Sequence, residues 1–140
     1  MSALVFTGCQ SLSNDGLLAN PLSDSLYAEL GGQAAIEKLV NKFVARLHYD
    51  PRLKELFVET NKQELKQNIA DFICEITDGG CDYQGASMED IHSGLEITKG
   101  EFDYFVSLFI LSMKCEEIPF KAQNRLLAKL AAMRGAVINL

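Results

Sequence analysis

An all-α domain is the fold class this sequence predicts, and three observations predict it. From Ser23 onward apolar residues recur at spacings of three and four, the period of a helix with one buried face. No stretch alternates apolar and polar residues between hairpin turns, as a half-buried strand would. Glycines, prolines and side-chain caps stand at the points where one periodic run stops and the next begins. The chain has 140 residues, 48% of them hydrophobic and 23% charged, which suits a single globular core and excludes both a disordered chain and a coiled coil. The expected division is a flexible N-terminal segment over 1–22 and one domain over 23–140.

Leu26-Tyr27-Ala28-Glu29-Leu30 reads as a short first helix stopped by Gly31-Gly32, since glycine accepts the left-handed conformation that ends a helix. The second helix starts at once, with Ile36, Leu39, Val40, Phe43, Val44 and Leu47 on one buried face. Asp50-Pro51 breaks it, because proline disfavours helical geometry in the residue before it, and Leu53, Leu56 and Phe57 form a tight connector. Thr60-Asn61-Lys62-Gln63 is expected to cap a third helix striped by Leu65, Ile69, Phe72, Ile73 and Ile76 and ended by Asp78-Gly79-Gly80. A loop over 79–87 follows. Ser87-Met88-Glu89-Asp90 caps a very short helix bearing Ile91 and His92. Thr98-Lys99-Gly100-Glu101 caps a longer one whose inner face is Phe102, Phe105, Val106, Phe109, Ile110 and Met113. Pro119 is placed as the first residue of the last helix. Leu126, Leu127, Leu130, Met133 and Val137 complete the core.

Charge narrows the function classes. Thirteen basic against nineteen acidic residues give a net charge of −6, which repels phosphate backbones and anionic lipid headgroups and argues against a nucleic-acid partner. No apolar run approaches the roughly 20 residues of a membrane span. Phe6-Thr7-Gly8-Cys9 resembles the cleavage box of bacterial lipoproteins, with Cys9 as the residue lipidated, but no Lys or Arg precedes Cys9 and the apolar stretch is short for a signal. Two readings of Cys9 stand side by side: a true start upstream, with the chain beginning inside a signal and Cys9 anchoring it to a membrane, or an ordinary thiol in a frayed tail.

No nucleotide-binding glycine loop, no histidine pair at zinc spacing and no Cys-x-x-Cys is present. The histidines are His48 and His92, and the cysteines are Cys9, Cys74, Cys81 and Cys115. His48, near a helix end, has an ordinary role against the helix dipole. His92 lies on a helix too short to stabilise itself, between a long loop and Gly94. By base rate alone such a histidine is a surface or capped residue.

The residues around it shift that balance. Leu26-Tyr27, Leu30-Gly31-Gly32, Phe43, Asp50-Pro51-Arg52-Leu53, Phe57 and Thr60-Asn61 come first. Tyr83-Gln84-Gly85-Ala86-Ser87-Met88, His92, Gly94, Ile97-Thr98 and Phe102 follow. In this order, from Ser25 to about Ile138, the chain resembles the truncated haemoglobins, the two-over-two helical globins, and specifically their first group. The resemblance implies a haem b pocket in which His92 is the proximal iron ligand, Phe57 packs on the porphyrin and Met88 lies near its edge. A neutral imidazole is the usual axial donor for globin iron, and an iron bond would anchor an otherwise marginal helix. Phe43, Leu65, Phe72 and Phe105 would supply apolar walls, although each of these aromatics taken singly is more often plain core.

The chain departs from that family at the distal positions, where a Tyr on the second helix and Gln or His on the third often donate to bound oxygen. Val44, Leu65 and Ile69 stand there and none can donate. A donor to a charged acceptor contributes roughly 1.5 to 3 kcal/mol, or about one to two decades of affinity, so easy oxygen release is expected. Asn68 and Gln67 are the nearest polar side chains, expected toward propionates or water. The sixth iron position is expected to be open or to hold water.

Cys74 and Cys81 flank the Gly79-Gly80 turn and could reach bridging distance, which requires an oxidising compartment; two reduced cytosolic thiols are the other reading. Cys115 is expected to be a free thiol. The function expected is therefore reversible binding of oxygen, nitric oxide or carbon monoxide by a monomer in the bacterial periplasm, with an unidentified reductase for the iron and a cytoplasmic location as the alternative. A nitric oxide dioxygenase or haem peroxidase is the enzymatic alternative, disfavoured because both benefit from polar groups near bound oxygen. A haem-free helical interaction module is the third reading.

Overall fold

The computed structural model describes residues 25–138. Six α-helices run in the order α1 (Leu26–Leu30), α2 (Gly32–Tyr49), α3 (Lys62–Ile76), α4 (Met88–His92), α5 (Lys99–Cys115) and α6 (Phe120–Ala131), with 3-10 turns at Lys54–Phe57 and Arg134–Ala136. No strand is present among the described residues; one parallel bridge joins Ile97 to Ile138.

Local chemistry accounts for the ends of these helices. Ser25 caps α1, its Oγ accepting from the Ala28 amide at 3.1 Å. Gly31 ends α1 at φ 109° and also begins α2, so one left-handed residue turns the chain between two helices without a loop. Asp50 closes α2 in extended geometry. Its carboxylate accepts from the backbone amides of Arg52 at 2.8 Å and Leu53 at 3.1 Å, which folds the chain over Pro51 into the 3-10 turn.

Burial follows the expected faces closely in α2. Ile36, Leu39, Val40, Phe43, Val44 and Leu47 are all buried, each contributing about 1.5 to 3 kcal/mol relative to exposure. This makes α2 the central element, packed against α1, α3, α5 and the first 3-10 turn, while α6 packs on α1. An ion pair between Arg125 and Glu29 at 2.7 Å joins α6 to α1 at the surface.

The structure corrects several expectations. Asn61, not Thr60, caps α3, its Oδ1 accepting from the Glu64 amide at 3.0 Å; Asn61 is the residue in extended geometry directly before the first helical residue, Lys62. Pro119 is the N-cap of α6 and Phe120 its first helical residue. In α5 the buried positions are Phe109, Ser112, Met113 and Cys115, whereas Phe102, Phe105, Val106 and Ile110 are half-buried. Leu126 is buried, and Leu127, Leu130, Met133 and Val137 are half-buried. Cys115 is disulfide-bonded and not a free thiol, and its sulfur lies 3.1 Å from Arg46 Nη2. Cys9 and the lipoprotein-like box lie outside the described residues.

Candidate functional site

Ser87 starts α4 by accepting from the Asp90 amide at 3.0 Å, with Glu89 and Asp90 in the first turn, where the helix dipole favours negative charge. Five residues cannot sustain a helix alone. The C-terminal 3-10 turn packs against α4, and the Ile97–Ile138 bridge ties down the chain just after it. His92 is half-buried in the last turn. Its Nδ1 lies 2.7 Å from the Met88 carbonyl, an acceptor, so Nδ1 carries the hydrogen and the lone pair resides on Nε2. No other hydrogen bond to this ring exists among the described residues. A backbone carbonyl fixing one ring nitrogen while the other presents its lone pair is the usual state of a metal-binding imidazole.

The loop before α4 is tied to α3 at several points. The Cys74 and Cys81 sulfurs are within bonding distance, with Cα atoms 5.7 Å apart, inside the range of a disulfide. The Tyr83 amide donates to Glu75 Oε1 at 2.6 Å, its ring meets Phe72 edge-on at 5.4 Å, and its hydroxyl donates to the Ala86 carbonyl at 2.9 Å. Burial, and secondarily the Glu75 carboxylate, push the Tyr83 hydroxyl pKa above 10.0. Two glycines fit because they lack Cβ. A Cβ on Gly79 would lie 2.3 Å from the Tyr27 ring and 2.6 Å from the Cys74 sulfur, and one on Gly85 would lie 2.2 Å from the Tyr83 hydroxyl.

The expected apolar walls divide into sealed and half-open groups. Phe43 and Val44 are 1% and 0% exposed, and Phe43 makes edge contacts with Phe105 at 4.9 Å and Phe109 at 5.0 Å. Phe57, Leu65, Ile69 and Phe105 pack on the same core yet stay half-buried, so each keeps apolar surface uncovered. Phe72 and Met88 are half-buried outside that core cluster. Phe57 lies 5.9 Å from the His48 ring, and His48 Nδ1 donates to the Val44 carbonyl at 3.1 Å, which agrees with an ordinary helix-end role. Asn68 is exposed. Gln67 is exposed too and donates to Asp71 Oδ1 at 3.0 Å, pairing along the surface of α3. A shallow polar recess between α2 and α3, lined by Glu37, Asn41, Gln63, Lys66 and Gln67 with Val40 and Ala70, includes Gln67 but neither His92 nor any of the expected apolar walls.

Two features were not read from the sequence. Tyr83 stood only as part of a motif, and nothing in its spacing showed that its amide, ring and hydroxyl would each hold the loop. Tyr104 donates to Asp50 Oδ2 under the Arg52 guanidinium, 3.9 Å from its ring centroid, joining α5 to the end of α2. The Asp50 hydrogen bond, with smaller contributions from burial and the Asp50 charge and against the lowering effect of Arg52, raises the Tyr104 pKa. The Asp-Pro pair signalled the turn but not its partner 54 residues away.

Among the described residues, a half-buried histidine with Nε2 unpartnered stands on a short helix beside a helical core. Residues 25–139 match the model of the bacterial-like globin family, and the chain belongs to that family. It is similar to the group 1 truncated haemoglobin of Nostoc sp., at 27% identity over 82% of this chain and 98% of that one. The group 1 protein of Mycolicibacterium paratuberculosis is 28% identical over 78% and 80% respectively. Among solved structures, truncated haemoglobin from Tetrahymena pyriformis in its Fe(III) form superposes with a TM-score of 0.80 at 21% identity, covering 84% of this chain and all of that one, a likeness of fold. The 2/2 haemoglobin of Synechococcus sp. PCC 7002, in the cyanomet state with covalently attached haem, has a TM-score of 0.69 at 27% identity, covering 74% and 88%. The fold is therefore the two-over-two helical sandwich expected of the sequence.

Proposed function

We propose that the chain binds haem b with His92 as the proximal iron ligand and reversibly takes up small diatomic gases on an apolar distal side. The observation that carries this reading is the hydrogen bond from His92 Nδ1 to the Met88 carbonyl at 2.7 Å, which orients the ring and reserves Nε2 for a metal. Membership of a globin family supports a haem cofactor and gas binding. The half-buried Phe57, Leu65, Ile69 and Phe105 fit a flat apolar macrocycle, since each already packs on the core and keeps a face to be covered. Haem, when bound, supplies an iron centre that coordinates a gaseous ligand.

The chain's own residues set what that centre would meet. The Met88 carbonyl accepts the His92 hydrogen bond from within the same helix, so α4 itself sets the orientation of the ring. Val44, Leu65 and Ile69 offer no hydrogen-bond donor, which disfavours tight oxygen storage and costs little for ligands held mainly by the metal. Asn68, exposed on α3, would face water or a propionate. The Cys74–Cys81 geometry supports an oxidising compartment, and we assign the protein to the bacterial periplasm on that ground.

Titration of the purified protein with haemin, for wild type and His92→Ala, in ferric, ferrous and carbon monoxide forms, tests the reading. A stoichiometric Soret band in wild type with altered ligation in the variant is expected. No haem uptake by wild type, or identical spectra for the two, would reject it.

A further inference from the structure

We propose that the Cys74–Cys81 bridge is a redox-removable latch on the loop that delivers His92, so that the thiol state of this pair sets how tightly the protein holds haem; the inference rests on the haem reading above. The latch sits where it has most leverage. Cys74 is fully buried on α3, while Cys81 is half-exposed in the loop itself. Gly79 is seated directly against the Cys74 sulfur and the Tyr27 ring, with no room for a Cβ, so the turn is moulded around the bridge. Beyond Cys81, among the described residues, the tie to α3 runs through Tyr83, by one hydrogen bond from its backbone amide to the exposed Glu75 carboxylate and one ring contact with Phe72. Its hydroxyl then braces Ala86, the residue before the cap of α4. Opening the bridge leaves this non-covalent tie at a surface, where single hydrogen bonds and ring contacts give way far more readily than a covalent link.

The asymmetry of exposure makes the pair reducible from one side. A dithiol reductant presents a thiolate to the sulfur of the half-exposed Cys81, forming a mixed disulfide and releasing Cys74 as a thiolate that takes up a proton. The reductant's second thiolate then attacks its own sulfur in that mixed disulfide, closing the oxidised reductant and freeing Cys81, which is also protonated. Two electrons pass to the protein pair and the dithiol is oxidised. Tyr83 acts as the positioning residue that keeps the loop partly in place in the reduced state.

Haem-loaded wild type and a Cys74→Ser/Cys81→Ser variant, each with and without dithiothreitol, provide the test. Haem transfer to excess apomyoglobin and the iron–histidine stretching band of the ferrous protein would be followed, with thiol titration to report whether the pair has opened. Loss of an outer support of a metal ligand typically weakens metal retention by about tenfold or more. Reduced wild type and the double variant should therefore lose haem about tenfold faster than oxidised wild type and show a shifted or broadened band. The double variant, in the same reductant, controls for effects on haem or on Cys115. If it does not fold, the single variant Cys81→Ser, which also removes the bridge and retains the Cys115 bond, takes its place. Equal haem loss and an unchanged band after the pair has opened would overturn the latch, as would a pair that dithiothreitol does not open. Absence of haem uptake would sink the haem reading and the latch together, whereas uptake with redox-insensitive retention would sink the latch alone.

Discussion

Single side chains around the loop and the distal wall carry the sharpest consequences. Gly79 is not required for its backbone conformation, since its φ is not among the positive ones; it is required because a Cβ would stand 2.3 Å from the Tyr27 ring. Gly79→Ala should cost about 1 to 3 kcal/mol, the usual range for overpacking, as read from urea unfolding. An unchanged midpoint would show that the Tyr27 ring moves aside freely. Leu65 is half-buried, at a position proposed to face a bound gas. Leu65→Gln should raise oxygen affinity about ten- to a hundredfold, from a hydrogen bond worth roughly 1.5 to 3 kcal/mol. Oxygen equilibrium curves check this, and equal affinity for the two proteins would place Leu65 away from the ligand. At this scale the sequence was legible where a residue's partners lie close in the chain, as with the Ser87 cap of the short helix that carries His92 and the burial of Phe43 and Val44 on α2. Cys115 was not legible, because a sulfur's partner is a matter of what folds against it.

Helix ends were readable from local pattern, and their small errors have local causes. The reciprocal cap of α5, in which Thr98 Oγ1 accepts from the Glu101 amide and Glu101 accepts from the Thr98 amide, both at 3.0 Å, was evident in Thr-Lys-Gly-Glu. Thr98→Ala should destabilise the fold by about 0.5 to 2 kcal/mol in thermal or urea melts. Ser87→Ala removes a cap of the same kind from a helix of a single turn. The loss there should appear as faster amide exchange within α4 and weaker haem retention, with a smaller change in global stability, because α4 lies outside the main core. An unaltered exchange pattern would mean that the C-terminal turn alone maintains α4. The shift of the α3 cap from Thr60 to Asn61 reflects two adjacent residues that are both good caps; which one serves depends on where the preceding 3-10 turn releases the chain.

Across the whole molecule, two tyrosines connect distant elements and make stability depend on alkaline pH. Tyr83 joins the loop to α3 and Tyr104 joins α5 to the end of α2, and both have pKa values raised above 10.0 in the folded state. Folding thus favours the protonated hydroxyls. Their contribution is fully present below the unfolded pKa near 10 and is lost as pH rises through the raised folded values. Tyr104→Phe should therefore lose stability relative to wild type near neutrality, with the gap narrowing above about pH 10. A gap that is constant with pH in urea titrations would show that the Asp50 hydrogen bond does not govern the Tyr104 proton.

The sequence by itself determined the helices, the caps of α4 and α5, the Gly31 turn between α1 and α2, the buried face of α2 and the histidine carried on a marginal helix, because periodicity, capping and ring chemistry act within a few residues of chain. The tertiary structure alone decided that Asp50 would meet Tyr104, that Tyr83 would brace the loop, which apolar side chains stay half-open and that Cys115 would be bonded. Those outcomes follow from how finished helices dock on one another, and contacts between residues far apart in the chain leave no periodic trace within it.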